Sequence, residues 1–271
     1  MKIKKYELLD DSYYLGTKKV YKIRALRSFM AYPDICVKKG DIGGFVENEK
    51  NLSQEGICWI FEGSAVIENA GIYDMASING NSLIAGDAKI KGHAIVKGAA
   101  IITGSSLVED SARILDHSNI YDHAAISGDA CICGHSVVKH HARVCGNAEM
   151  SGTSCIGGHS VLAGQARLGG TVSVLGQMQI AGSVCLNEGM LLGSGILLLR
   201  ENIFTVTNVF PGKDIVFWKD VNENIHIEYQ ETEHIGLETF AEYIEQKQME
   251  PFMKSKFKGL ILYAELYFYG R

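Results

Sequence analysis

Between Ile60 and Leu198 an apolar residue returns at every sixth position without a gap, which gives 24 positions that we call rungs. Two positions before each rung the chain carries Ala or Ser throughout the span from Ser64 to Ala166. Four positions before it, Gly or Asp predominates. A repeat as strict as this outranks local propensity, because each unit can bury its apolar side only against its neighbours.

The period of six predicts a short strand, a corner and another short strand. The rung points inward, the small residue before it fits where the section is narrow, and Gly or Asp tolerates the left-handed backbone of a sharp corner. Units of six close most simply into a triangular coil, so three units make one coil and the next coil pairs in parallel above it. The pattern therefore predicts a mainly β protein, a parallel β-helix of about eight triangular coils, about 38 Å tall at about 4.8 Å per coil.

The extent of the periodic region divides the chain into three predicted parts. Residues 1–56 are expected to form an N-terminal antiparallel cap, because the first coil otherwise exposes an apolar end and a bare strand edge. Residues 57–200 form the hexapeptide-repeat β-helix. Residues 201–271 form a small α+β domain, in which TVTNVF, DIVFWKD and IHIEYQ alternate as strands and Leu237, Phe240 and Ile244 recur at helical spacing. The segment LILYAELYFYG fits a strand or a helix.

The rungs resemble the hexapeptide repeat of the left-handed parallel β-helix acyltransferases, in the variant where Gly-Asn/Asp/His-Ala precedes the aliphatic residue. The left-handed twist is implied by this resemblance alone. The entry segment from Tyr21 to Val66, with Gly-Gly-Phe-Val and Leu-Ser-x-x-Gly-x-Cys-Trp-Ile, is similar to uncharacterised phage, prophage and bacterial hexapeptide-repeat proteins, some of which are named as acetyltransferases. The tail resembles a small domain often attached to such repeats in phage proteins.

Composition indicates a cytoplasmic protein. The net charge of −5 is too small to point to nucleic acid or a membrane as a partner, and no apolar run approaches the length that a membrane-spanning helix needs. Seven cysteines are an odd number, and several lie beside rungs, where alternation turns them outward. Exposed free thiols suit a reducing compartment. Cys131 and Cys133 flank one rung, but no second pair lies one coil away, so no metal site is predicted there.

Six of the nine histidines occupy one slot, three positions before a rung. A spacing of three repeats stacks His123, His141 and His159 along one edge, and His117 with His135 along another. Such a ladder of imidazoles could serve as a proton acceptor or respond to pH. The simpler interpretation is that the corner accepts any polar residue, since Asn81 and Asn147 and several Asp residues fill the same slot.

Two enzyme hypotheses follow from the resemblance. Acyltransferases of this class act as trimers, with a His general base between neighbouring helices and an inserted loop that closes over the acceptor; here the rungs keep phase with no insertion. If the chain transfers acyl groups, acetyl-CoA is the expected donor and His123, His141 or His159 the base; otherwise no cofactor is expected. In the related carbonic anhydrase three His bind zinc, and His135 and His140 have the spacing for two of them. Ala99 stands at the third position, so no metal is predicted.

The outward residues of one helix face favour a different role. Steps of three repeats give Ala65, Leu83, Ile101, Asn119, Val137 and Cys155, a mostly apolar stripe where a solvated face should carry charge. Leu83, Ile101 and Val137 are the predicted interface residues. The basic residues are scattered without forming a groove. We therefore expect a homo-oligomeric binding module of phage type, with a host protein as a further partner, rather than an enzyme.

Overall fold

The repeat region folds as a solenoid of about eight turns, closed at both ends by other parts of the chain. The computed structural model describes residues 4–210, 213–230 and 232–270. The fold is mainly β, with a small C-terminal region of antiparallel strands and two helices. The predicted fold class is confirmed at this level.

The N-terminal part is antiparallel and runs directly into the solenoid. Its strands are β1 (Tyr6–Leu15), β2 (Lys18–Ala25), β3 (Phe29–Ala31), β4 (Ile35–Val37) and β5 (Ile42–Val46). Strand β5 pairs antiparallel with β2 on one side, and on the other Phe45 and Val46 pair in parallel with Ala65 and Val66 of the first coils. Gly44 permits this close approach, because a Cβ there would lie 2.6 Å from the carbonyl oxygen of Phe61.

Twenty-four short strands build the solenoid in the described residues. They are β6 (Trp59–Ile60), β7 (Ala65–Val66), β8 (Gly71–Ile72), β9 (Ser77–Ile78), β10 (Leu83–Ile84), β11 (Lys89–Ile90), β12 (Ile95–Val96), β13 (Ile101–Ile102), β14 (Leu107–Val108), β15 (Arg113–Ile114), β16 (Asn119–Ile120), β17 (Ala125–Ile126), β18 (Cys131–Ile132), β19 (Val137–Val138), β20 (Arg143–Val144), β21 (Glu149–Met150), β22 (Cys155–Ile156), β23 (Val161–Leu162), β24 (Arg167–Leu168), β25 (Ser173–Val174), β26 (Gln177–Ile180), β27 (Cys185–Leu186), β28 (Met190–Leu191) and β29 (Ser194–Leu197).

Every third strand belongs to the same parallel sheet, so the solenoid has three faces. Face 1 consists of β5, β7, β10, β13, β16, β19, β22, β25 and β28. Face 2 consists of β8, β11, β14, β17, β20, β23, β26 and β29. Face 3 consists of β6, β9, β12, β15, β18, β21, β24 and β27. Residues in register on neighbouring strands are three repeats apart in the sequence, as in the pairing of Leu83 with Ile101.

The solenoid interior is filled by the rungs and by the small residues two positions before them. The rungs from Ile60 to Ile180 are buried, and so are the Ala and Ser residues of the small slot. The Ser hydroxyl groups remain hydrogen-bonded, since Ser106 donates to the carbonyl of Thr103 at 2.6 Å and Ser118 to that of Leu115 at 2.6 Å. From Ser64 to Ala166 this slot holds only Ala and Ser, and the hydroxyl groups of Ser106 and Ser118 are satisfied; Val172, Met178 and Val184 fill it in the last coils.

The last coil departs from the predicted phase. Val174 pairs with Leu191, one position earlier than the period requires, and the buried rungs after Leu186 are Leu191 and Leu197. The expected rungs Leu192 and Leu198 are therefore wrong: Leu192 is half-buried and Leu198 is exposed. The missing residue lies in the corner between Leu186 and Leu191, where Gly189 lies against the side chains of Val216 and Thr205.

The C-terminal region packs on this short coil. Strands β30 (Ile203–Phe210), β31 (Lys213–Lys219), β32 (Ile225–Tyr229) and β33 (Thr232–Ile235) form an antiparallel sheet, followed by α1 (Leu237–Gln246) and α2 (Pro251–Tyr269). The segment that fitted either a strand or a helix belongs to α2. Val216 and Trp218 of β31 are buried against the solenoid core, whereas Phe217 and Phe240 belong to the separate core of the C-terminal region.

Candidate functional site

The three stacked histidines lie at the corner where face 1 turns into face 2. His123, His141 and His159 each stand three residues before a face 2 rung, and each side chain is exposed. Their backbone is fixed by the coil above, since His123 N–H donates to the carbonyl of His140 at 2.9 Å and His141 N–H to that of Gly158 at 2.9 Å. The parallel register thus places the three side chains directly above one another.

The imidazole rings form the predicted ladder. The centroids of His123 and His141 are 5.0 Å apart with 9° between the ring planes, and those of His141 and His159 are 4.8 Å apart with 2° between them. His117 and His135 stack in the same way at 4.9 Å, at the corner between faces 3 and 1. The spacing equals the strand separation of a sheet, so it follows from the fold alone.

A fourth imidazole at this corner is His140, which has a different local role. It takes the left-handed backbone position four residues before a rung, at φ 60°. Its backbone N–H donates to Asp122 Oδ2 at 3.0 Å, and its Nδ1 accepts from Gly158 N–H at 3.2 Å. From its spacing, His140 is predicted only as a candidate zinc ligand beside His135. The structure separates them onto two different corners. The sequence signal for this role is that His140 stands at a corner position that elsewhere in the same column is mostly Gly or Asp.

The four imidazoles and Asp122 border an open depression of about 750 Å³. None of the ring nitrogens of His123, His141 and His159 makes a hydrogen bond within the described residues. A general base is usually oriented by a second group on its other nitrogen. The described residues also contain no group of three or more His, Cys, Asp or Glu side chains arranged to hold a metal ion. The depression offers a polar, wet surface with several proton acceptors.

The predicted interface residues lie on the outside of face 1. Leu83, Ile101 and Val137 stand in one column, joined by the parallel register through Asn119. Ile101 is 37% exposed, while Leu83 and Val137 are half-buried. Leu83 packs beside Val20, Phe45, Ile67 and Ala85 in a small apolar cluster with the N-terminal strands. The N-terminal end of the column is therefore partly covered by the N-terminal strands of the same chain.

Face 1 differs from the other two faces in charge. Its outward column in the solenoid strands contains no charged residue: Ala65, Leu83, Ile101, Asn119, Val137, Cys155, Ser173 and Met190. The equivalent column of face 2 includes Lys89 and Arg143. That of face 3 includes Arg113, Glu149 and Arg167. This column of face 1 can therefore leave water without burying a charge of its own, although Lys139 lies on the same face near Cys155.

A second polar cluster is buried where the short coil meets the C-terminal sheet. Glu228 Oε1 accepts from the N–H groups of Leu192 and Gly193, both at 3.1 Å. His226 lies 2.7 Å from Glu233 Oε1 and 3.3 Å from Asp220 Oδ2, and its ring stacks on Trp218 at 3.8 Å. With His226 only 3% exposed, no substrate can reach it. This cluster joins the last coil of the solenoid to the C-terminal sheet, and Glu228 also lines a depression of about 310 Å³ beside Leu192 and Val216.

Burial also changes the acidity of this junction. The pKa of Glu228 is raised to about 7, chiefly by burial and also by the nearby Glu233, against the opposing effect of the two N–H groups. A Cβ at Gly193 would displace the Glu233 carboxylate, which lies against His226. No pattern in the sequence linked Glu228 to residues so far away along the chain.

No protein-family profile matches the chain, and no curated protein matches it. None of the helices in the described residues is long and apolar enough to cross a membrane.

Proposed function

We propose that the protein is a non-enzymatic β-solenoid interaction module that self-associates through face 1. The observation that carries this proposal is the uncharged outward column of face 1, which runs from Ala65 to Met190 beside two faces that carry charge. A flat parallel sheet with such a column packs on a second copy with little desolvation of charge.

The centre of the contact is the part of the column that the chain leaves uncovered. Ile101 and Val137 lie there, beyond the cluster that Leu83 forms with the N-terminal strands. Two sheets packed face to face are about 10 Å apart and interdigitate side chains of this size. Asn119, between the two aliphatic residues, can form a hydrogen bond across the contact and fix its register.

The imidazole ladder takes a structural role in this proposal. Its residues stand at exposed corners, and the same slot holds Asn81 and Asn147 elsewhere in the solenoid. The flanking segments resemble those of phage and prophage proteins, which supports a host protein as the partner of the assembled module.

Light scattering and sedimentation velocity test the interface. Wild type should form a dimer or trimer, and Ile101→Glu with Val137→Glu should shift it to monomer, because a carboxylate buried between two faces is strongly unfavourable. Ile95→Glu is the matched control: Ile95 has the same strand position on face 3 and is also half-buried. A wild type that stays monomeric at high micromolar concentration, or equal effects of the two sets, refutes the proposal.

An acetyl-CoA-dependent acyltransferase is the second candidate, favoured by the depression of about 750 Å³ beside four imidazoles. Calorimetric titration with acetyl-CoA tests it. A catalytic base is a single residue, so if the chain is an enzyme one of the single variants His123→Asn, His141→Asn and His159→Asn should abolish turnover. Under the interaction-module proposal, acetyl-CoA produces no heat of binding, and the triple variant keeps the fold and the oligomeric state.

A further inference from the structure

Helix α2 presents an exposed apolar stripe on the side opposite its buried residues, with Lys219 of β31 near the ring of Tyr269 at one end. The buried residues of the helix, Phe257 and Ala264, face the sheet of the C-terminal region. Directly opposite, alternating steps of three and four select Phe252, Ser255, Gly259, Leu262, Leu266 and Tyr269, all exposed. The exposed fractions of the large members are 70% for Phe252, 65% for Leu262, 56% for Leu266 and 48% for Tyr269. This spacing is the a/d repeat of a two-stranded coiled coil.

Gly259 is not required by the fold of a single chain. It lies in the interior of a long helix, where glycine lowers helix stability. Its φ is helical, and a Cβ at this position would meet nothing within 4 Å. Together with Ser255 it leaves a shallow gap in the stripe, and the large residues Leu262 and Leu266 follow one and two turns later. The stripe therefore has small residues at Ser255 and Gly259 and large residues at Leu262 and Leu266, with Phe252 and Tyr269 at its two ends.

The two halves are complementary to each other in an antiparallel pair. Leu262 of one helix then lies over Gly259 of the other, and Leu266 over Ser255, so each leucine fills the gap left by a small residue. Charge agrees with this direction. Lys258 and Glu265 both occupy the same heptad position beside the stripe. In an antiparallel coiled coil this position of one helix faces the same position of the other helix, so Lys258 of each copy pairs with Glu265 of the second copy. In a parallel pair these flanking residues would not meet each other.

We infer that α2 is a second self-association surface, on which the α2 helix of a second copy of this chain packs antiparallel. Glu265 makes no ion pair within the described residues, and Lys258 lies 2.7 Å from Glu245 in a contact that is exposed on both sides. An exposed pair of this kind is weak and exchanges readily. The contact involves only one helix from each copy, so it is small compared with a standard interface of about 1,600 Å². The α2 pair is therefore expected to be a weak dimer.

This surface is separate from face 1, and the two together can link solenoid oligomers through their C-terminal regions. The inference does not rest on the proposed role of face 1. An experiment in the background of Ile101→Glu with Val137→Glu therefore isolates the α2 contact, because any association that survives in this background does not involve face 1. Sedimentation velocity over a dilution series of the full chain measures it.

Leu262→Glu with Leu266→Glu should raise the dimer dissociation constant at least tenfold without changing the thermal melt, because both side chains are exposed in one chain. Met30→Glu, at an exposed apolar residue of the N-terminal hairpin, is the control and should leave association unchanged. An unchanged dissociation constant in the α2 variant overturns the inference, as does a monomeric background protein at high micromolar concentration.

Charge exchange tests the partner and the direction. Lys258→Glu alone should weaken the pair, Glu265→Lys alone should weaken it, and the two changes together should restore it, because each new charge again faces its opposite on the second copy. Failure of the double variant to restore association overturns the antiparallel pair. Binding of the wild type to vesicles with anionic lipid, lost in the leucine variant, in place of dimerisation would show that the stripe faces a lipid surface and also overturns it.

Discussion

Single side chains hold the corners of the solenoid together from one coil to the next. Asp74, Asp110 and Asp116 each take the left-handed backbone position, and each carboxylate accepts a hydrogen bond from the N–H of the glycine one coil further on, at 2.9 to 3.0 Å. Glycine satisfies the backbone requirement alone, whereas Asp also provides an acceptor. His140 provides the same acceptor with its Nδ1.

His140→Asp should therefore leave the free energy of unfolding within about 0.5 kcal/mol of wild type, because Asp122 already performs this role one coil earlier in the same column. His140→Val should destabilise the protein by about 1–2 kcal/mol, since it removes the acceptor and places a β-branched residue at positive φ. Urea denaturation measures both variants. Equal stability of the Asp and Val variants would show that the hydrogen bond to Gly158 contributes nothing.

Ile114 tests the interior of the solenoid in the same way. It is fully buried between coils, so Ile114→Asp places an unpaired carboxylate among aliphatic side chains and should cost at least about 4 kcal/mol, enough to unfold the solenoid. Lys97→Asp, at an exposed position of the same face, should change the free energy of unfolding by less than about 0.5 kcal/mol. Circular dichroism melts compare the two, and equal effects would mean that the register is wrong.

The short last coil shows how one element is completed by another. In the column of corners that contains Asp122 and His140, the last backbone N–H belongs to Gly193, and no further coil follows. Glu228 of β32 provides the acceptor for it at 3.1 Å. The C-terminal sheet thus closes the corner in place of a ninth coil, and Val216 and Trp218 cover the end of the core.

The stability that the contact between Glu228 and the last coil gives the fold should depend on pH. The pKa of Glu228 is raised from 4.5 to about 7, so the folded protein favours the protonated form. The contribution of protonated Glu228 to the free energy of unfolding is fully present below about pH 4.5. It is lost as the pH rises to about 7, a loss of about 3 kcal/mol. Glu228→Gln keeps an acceptor and removes the ionisation, so the variant should gain stability over wild type between pH 5 and pH 8.

Calorimetric melts at the two pH values check this expectation, with Glu238→Gln on the exposed side of α1 as the control. A difference between wild type and Glu228→Gln that does not change with pH would contradict the described role of the junction. A larger wild-type advantage at pH 8 would contradict its sign.

The sequence predicts the repeated part of the fold well, because every sixth residue is constrained by the same packing. It does not reveal the slip after Leu186, since Leu191 and Leu192, and again Leu197 and Leu198, are adjacent leucines and either phase places a leucine on the rung. Helix α2 is ambiguous for a similar reason: large apolar residues lie on its inner side, as at Phe257, and on its outer side, as at Leu262, and only the contact of Phe257 with the sheet distinguishes the two.

One part of the candidate site can be predicted from the repeat, and another part cannot. The ladder of His123, His141 and His159 follows from their spacing of three repeats, because the fold converts that spacing into stacking. The contact of Glu228 with Leu192 and Gly193 joins residues that are 36 and 35 positions apart, outside any repeat. Only the packing of the C-terminal sheet on the short coil brings them together.

The whole molecule leaves few surfaces free for association. The N-terminal strands cover the first coil and the C-terminal sheet covers the last, so the strand edges at both ends of the solenoid are protected from end-to-end pairing. What remains is the outer side of the three faces, the unpaired edge of β1 with its exposed Tyr13, Tyr14 and Leu15, and helix α2. Face 1 has the uncharged column, and we expect it to be the main contact between copies.

Native cysteines report on each face separately. Cys155 lies in the face 1 column, Cys145 on face 2 and Cys131 on face 3, and all three are half-buried free thiols. Labelling with a small thiol reagent, read by mass spectrometry of each peptide over a range of protein concentrations, compares them within one sample. Because each cysteine is compared only with itself, differences in intrinsic reactivity cancel.

Self-association through face 1 should slow the labelling of Cys155 as the protein concentration rises, while the labelling rates of Cys145 and Cys131 stay constant. Ile101→Glu with Val137→Glu should return Cys155 to its dilute rate at every concentration. If Cys155 reacts at the same rate at all concentrations, or if all three cysteines are protected together, face 1 is not the surface through which the chain associates.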